Sequence, residues 1–152
     1  MATDNRLDQP IVASIRAVFD ANVYVAAYLS KNSRSPNKEL FRRWRNDEFV
    51  LLVSPAILEE VIEKFDERGI AQALTVDLVS FVLATAEYVM TPADEMPAKL
   101  VGDPDDDQVL ACAIAGKADY LVTYDPHLDR LGGEYQGIRV LDGLHFLYNG
   151  YK

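Results

Sequence analysis

The sequence predicts an α/β fold, a single three-layer domain whose central sheet is mostly parallel. Three observations predict it. Short apolar runs alternate with segments of helical period, which is the mark of strand–helix–strand crossover units. The run from Phe49 to Val53 is apolar without alternation, as a strand covered on both faces must be. The 152 residues, 49% hydrophobic and 26% charged, suit one globular domain with a substantial core.

Residues 1–13 show no periodicity and read as an N-terminal arm, with the domain over 14–152. Ile15 to Phe19 is a short apolar run that ends at Asp20 and reads as the first strand. Val23 to Leu29 is a short helix, followed by a polar break from Ser30 to Ser35. Pro36 is placed to open a second helix, with Leu40, Phe41 and Trp44 at helical spacing. Phe49 to Val53 is the second strand. Ser54 and Pro55 are an N-cap and a first-turn proline, and Ile57, Leu58, Val61, Ile62 and Phe65 form the apolar stripe of the helix they open. Gly69 stops it.

A further helix over Leu74 to Ala86 runs into a short strand, Glu87 to Met90, and Pro92 to Val101 is a loop. Asp103 and Pro104 start the next helix, which runs to about Lys117. Tyr120 to Thr123 and Ile138 to Leu141 are the remaining strands. Asp142 caps a last helix reaching Tyr148.

Charge and composition exclude several classes. Fifteen Lys and Arg against twenty-four Asp and Glu leave a net charge of −9. That balance argues against a basic face neutralising phosphates, yet it is compatible with an acidic cleft that meets nucleic acid through bridging metal ions. No apolar run approaches the ~20 residues of a membrane helix, and the polar N-terminus lacks a signal pattern, so a reducing cytoplasm is expected. The single cysteine, Cys112, excludes an internal disulfide and a cysteine-based zinc site.

The carboxylates are the informative feature. Ligands of an open parallel sheet bind beyond the carboxyl ends of its strands. Asp20 ends the first strand, and Asp125 follows the strand at Tyr120. Asp103, Asp105, Asp106 and Asp107 open the helix that feeds that same strand, and Glu59 and Glu60 sit in the second turn of the helix after the second strand. One such residue alone is a turn or cap residue. Four aspartates within five positions repel one another, so capping explains only one or two of them. Convergence of all these groups at one edge points to a site for a hard divalent cation, Mg²⁺ or Mn²⁺. Helical phase favours Asp106, three, four and seven residues before Val109, Leu110 and Ala113, with Asp103 as a secondary candidate. Phase leaves Glu59 and Glu60 equivalent.

At these residues the chain resembles the PIN domain family of metal-dependent ribonucleases. The resemblance rests on Val18 to Val23, Ser54 to Val61, Asp103 to Leu110 and Ala118 to Asp125, four short stretches in order and suitably spaced. It implies an acidic quartet of Asp20, Glu60, Asp106 and Asp125 with Asp103 as an added acid, and Asn22 and Thr123 as polar supports. The choice of Glu60 over Glu59 comes from the resemblance alone. It further implies a Mg²⁺- or Mn²⁺-dependent endoribonuclease, the toxin of a toxin–antitoxin pair, with RNA as substrate, an antitoxin protein as partner and a homodimer or higher assembly. The chain departs from the family at Ala21, where Thr is frequent, and at Tyr124, where Gly is frequent.

Other residues carry weaker signals. His127 and His145 are the only histidines; His127 reads as a partly exposed loop residue, and Cys112 as a packing residue. Lys38, Arg42, Arg43 and Arg45 make the one basic stretch, a solvated helix face with the capacity to hold an RNA backbone. Tyr24 and Tyr28 read as core or interface residues. A rival reading keeps the fold but makes the chain a regulatory or interaction module that binds metal without turnover. A phospho-accepting receiver domain is disfavoured, because Leu141, Asp142 and Gly143 stand where it needs a lysine. An Asp-x-Asp phosphatase is disfavoured by Asn22.

Overall fold

The computed structural model describes residues 14–90, 104–124 and 133–150, of which 104–106 and 149–150 by their backbone alone. The arm at 1–13, the loop at 92–101, Asp103, Asp125 and His127 lie outside the described residues.

Each strand forms where the apolar runs fall: β1 (Arg16–Phe19), β2 (Val50–Val53), β4 (Tyr120–Val122) and β6 (Ile138–Leu141). A two-residue β3 (Glu87–Tyr88) and a two-residue β5 (Glu134–Tyr135) complete the sheet, whose order is β3-β2-β1-β4-β6-β5. All neighbours pair in parallel except β5 with β6. Consecutive residues of a strand point to opposite faces. Ala17, Val18 and Phe19 are all fully buried, as are Leu51, Leu52 and Val53 within 1%, so both faces of the central strands are covered.

Among the described residues, four helices begin at side-chain caps. Asp20 caps α1 (Ala21–Leu29), two residues earlier than the apolar period shows. Ser35 Oγ accepts from Lys38 N at the start of α2 (Pro36–Arg45), and Ser54 Oγ accepts from Ile57 N at the start of α3 (Pro55–Glu67), each with proline at the first turn. Next come α4 (Gln72–Thr85) and α5 (Pro104–Ala115). Asp142 caps a three-residue α6 (Gly143–His145), which widens into a π-helical turn over Phe146–Gly150 instead of continuing as a regular helix.

The core is aromatic on one side. Phe19 stands 5.7 Å from Phe49, which meets Phe146 edge-on at 5.3 Å, and Tyr120 meets Phe146 at 5.3 Å. Phe41 and Trp44 tie α2 into the same cluster. Tyr24 belongs to it too: its ring is 1% exposed and packs on Phe19 and Phe41. Its hydroxyl has no hydrogen-bond partner among the described residues, and burial pushes its pKa far up.

β5 is the one strand the sequence does not announce. It pairs Tyr135 with Ile138 across Gln136 and Gly137, both at positive φ, 49° and 85°. That is the geometry of a tight two-residue hairpin. Two residues are too few to show a period, and Gln is not a usual first residue of such a turn.

Candidate functional site

The sheet order makes β1 the switch point. From β1 the chain moves outward to β2 on one side and later returns to place β4 on the other. A crevice opens at the carboxyl ends of two such strands, because the connections leave in opposite directions. The register pairs Phe19 with Val122, so the next residues, Asp20 and Thr123, stand side by side at that crevice.

Asp20 is 3% exposed and Thr123 6%. The Thr123 hydroxyl donates to Asp20 Oδ2 at 2.8 Å, and the backbone N–H of Asn22 reaches Asp20 Oδ1 at 3.4 Å. Main-chain bonds hold both residues in place: Asp20 N donates to Val122 O, and Thr123 N to Leu141 O, each at 3.0 Å. A buried carboxylate needs such donors, and these aim its oxygens. Thr123 thus meets Asp20 through its side chain and Asn22 through its backbone.

The helices that start at the same sheet edge bring further acids. Glu60 lies in the second turn of α3, with its side chain 15% exposed and Oε1 3.7 Å from Lys64 Nζ. Glu59, on the other flank, is exposed. Structure thus separates two residues that helical phase left equivalent.

In the first turns of α5, the backbone places Asp106 within the helix, and the side chain of Asp106 lies outside the described atoms. Asp107 is 7% exposed. Helical phase puts Asp107 to one side of the apolar stripe and gives no sign of this burial. Its signal was faint because α5 is enclosed nearly all round: Val109, Leu110, Ala111, Cys112 and Ala113 are all buried, so the helix has no single inward meridian.

Among the described residues, no three His, Cys, Asp or Glu side chains gather closely enough to hold a metal ion. The set expected from the sequence draws also on Asp103, Asp106 and Asp125, whose side chains lie outside that description. The groups that are described, the carboxylates of Asp20, Glu60 and Asp107 and the Thr123 hydroxyl, are all oxygen donors. That chemistry fits Mg²⁺ or Mn²⁺ and does not suit a soft ion.

Other expected residues fall as follows. Cys112 is buried, and burial pushes its thiol up to about 12, which leaves no thiolate for nucleophilic work. His145 is exposed, with Nδ1 2.7 Å from Asp142 Oδ1. On the basic stretch, Arg42 and Arg43 both bind Glu39, and Arg45 lies over the Phe81 ring at 5.4 Å. Tyr124 was noted in the sequence only as a departure. Its hydroxyl donates to Asn37 Oδ1 at 2.9 Å and accepts from Gly143 N at 3.2 Å, joining the end of β4 to α2 and α6.

The PIN domain family matches residues 16–127. Among solved structures, the chain is similar in fold to VapBC2 of Rickettsia felis, bound to a DNA fragment from its promoter. The TM-score is 0.58 at 14% identity over 83% of this chain and 97% of that one. It is equally similar to Mycobacterium tuberculosis VapC20, described as a sarcin-ricin loop cleaving toxin. That TM-score is 0.58 at 14% identity, covering 81% of this chain and 98% of the other. No curated protein matches the chain.

Proposed function

The chain belongs to the PIN-domain family, and on that premise we propose that it is a metal-dependent ribonuclease that hydrolyses phosphodiester bonds in RNA as the toxin of a toxin–antitoxin pair. The observation that carries this reading is the buried Asp20 carboxylate, held by Thr123 at the crevice between β1 and β4. The likeness in fold to VapC20, a sarcin-ricin loop cleaving toxin, supports a nuclease reading. The likeness to VapBC2 supports an antitoxin protein as partner. We place the activity in the cytoplasm, in a homodimer or higher assembly.

Asp20, Asp106 and Asp125, with Asp103 beside them, would hold Mg²⁺ or Mn²⁺. Held there, such an ion would supply a water of lowered pKa and neutralise charge on the attacked phosphate. The chain's own residues do the rest. Thr123 and the Asn22 backbone fix the Asp20 carboxylate, so the ligand is aimed before substrate arrives. Glu60, half-buried on α3, would ligate the ion or position the attacking water. No covalent enzyme intermediate is implied.

The test is cleavage of structured and single-stranded RNA by the purified protein in Mn²⁺ and in EDTA. We expect cutting in Mn²⁺ only. Asp20→Asn, an isosteric change, is expected to lower the rate at least about 100-fold while leaving circular dichroism and melting temperature intact. Undiminished Mn²⁺-dependent cutting by that variant refutes the assignment of Asp20. A wild type that binds Mn²⁺ but cuts no RNA is instead a metal-binding interaction module with this fold.

A further inference from the structure

Tyr124 is 44% exposed, and its hydroxyl is engaged by Asn37 and Gly143. With the polar tip engaged, what the residue offers to solvent is ring carbon. The fit around the tip is close: a Cβ on Gly143 would lie 2.6 Å from the Tyr124 hydroxyl oxygen. Gly143 therefore has to be glycine for the ring to be anchored where it is. Tyr124 is the residue next to Thr123, whose hydroxyl binds Asp20.

The same anchor points lead into a groove. Pro36, which precedes Asn37, and Leu144, which follows Gly143, both line a cleft of about 370 Å³ between α2 and the 143–148 segment. Its lining includes Arg34, Arg42 and Arg43 against one carboxylate, Glu39. Glu39 binds Arg42 through Nε and Nη2 at 3.0 and 2.7 Å, and Arg43 through Nε at 3.2 Å, so it orients two guanidinium groups on the wall. Tyr148, 68% exposed, stands at the groove as a second open ring. The other acid nearby, Asp142, is paired with His145.

We propose that single-stranded RNA reaches the acidic crevice across the ring of Tyr124, a base stacking there, and continues along the arginine groove between α2 and the 143–148 segment. The proposal rests on the nuclease reading and adds the path and the strandedness of the substrate. Rings accept any base because each base has a π-face, and guanidinium groups take the phosphates; a groove combining both is the usual design for sequence-tolerant single-strand binding. An acidic peptide needs the arginines but has no use for the two rings.

The experiment measures binding of a fluorescein-labelled uridylate octamer by anisotropy, with Ca²⁺ replacing Mn²⁺. Tyr124→Phe and Tyr124→Leu both lose the two hydroxyl bonds, so the difference between them reports the ring. Leucine is expected to bind about tenfold more weakly than phenylalanine. Arg34→Gln and Arg43→Gln are each expected to lower the salt dependence of binding by about 0.7 in the log–log slope. A hairpin duplex of equal length is expected to bind more weakly than the octamer.

Equal binding by the Phe and Leu variants, with cutting of RNA retained in Mn²⁺, overturns the path and leaves the nuclease reading standing. Equal affinity for a glutamate octamer overturns it in favour of an acidic peptide. A wild type that cuts no RNA in Mn²⁺ removes the nuclease reading and the path with it.

Discussion

The pairing of Thr123 with Asp20 makes a prediction at the scale of a single hydroxyl. Thr123→Val keeps the shape and removes the donor to a carboxylate 3% exposed. The expected cost is about 1.5–3 kcal/mol in urea unfolding, the usual worth of a hydrogen bond to a charged group. RNA cleavage should fall as well, since Asp20 is no longer aimed, and Thr123→Ser should restore most of both. A valine variant as stable and as active as wild type would show the hydroxyl to be incidental. Thr123 was pointed to by the family resemblance alone, whereas Asp20 was legible because it immediately follows an apolar strand, whose end is fixed by the run itself. Asp107 was not: inside a helix buried nearly all round, neighbouring acids cannot be ranked by phase. Tyr124 was noticed only as a bulky replacement, since its partners Asn37 and Gly143 are 87 and 19 residues away.

Among the elements, the joint between α5 and β4 is closely packed. Gly116 follows the last residue of α5, and its N–H donates to Cys112 O at 2.9 Å. A Cβ there would lie 2.8 Å from Leu52 Cδ1, 3.0 Å from Val89 Cγ2 and 3.0 Å from Cys112 O. Leu52 is fully buried, so it has little room to yield. Gly116→Ala is expected to cost about 1–3 kcal/mol by overpacking, read as a lowered urea midpoint; an unchanged midpoint would mean that α5 shifts freely against the sheet. Elements with long apolar signals were legible to within a residue or two, as with β2, α2 and α3. Those set by a local turn were not. The β5–β6 hairpin depends on two backbone conformations at Gln136 and Gly137, which leave almost no trace in a hydrophobic pattern.

Over the whole molecule, the sheet is tied across β2 by a charge pair. Arg16, at the start of β1, donates to both carboxylate oxygens of Glu87 on β3, and its guanidinium also donates to Gly116 O. The hydrogen bonds from Arg16 hold the Glu87 carboxyl below its ordinary pKa. The unfolded chain therefore takes up its proton first as pH falls. The contribution is fully present above the ordinary glutamate range and is lost as pH drops through the lowered folded value. Glu87→Gln is thus expected to flatten part of the decline in stability between neutral pH and about pH 3, measured as urea midpoints of both proteins. The side chain is about half exposed, so solvent screening keeps the effect within roughly 0–1 kcal/mol. Identical declines would show the pair to be idle. The sheet order itself follows from the alternation of strands and helices only in part: alternation dictates parallel pairing, whereas the choice of β1 as the switch point comes from packing that no single segment displays.

The two borders of that sheet have a consequence for how this chain meets others. Among the described residues, β3 and β5 are each two residues long. A foreign polypeptide laid along either of these strands meets a ladder of two residues, too short to template fibril growth or strand exchange. Companions are left to recognise the molecule by the side chains of its helices and crevices, where shape and charge discriminate between them, and not by the backbone, which is the same in every protein.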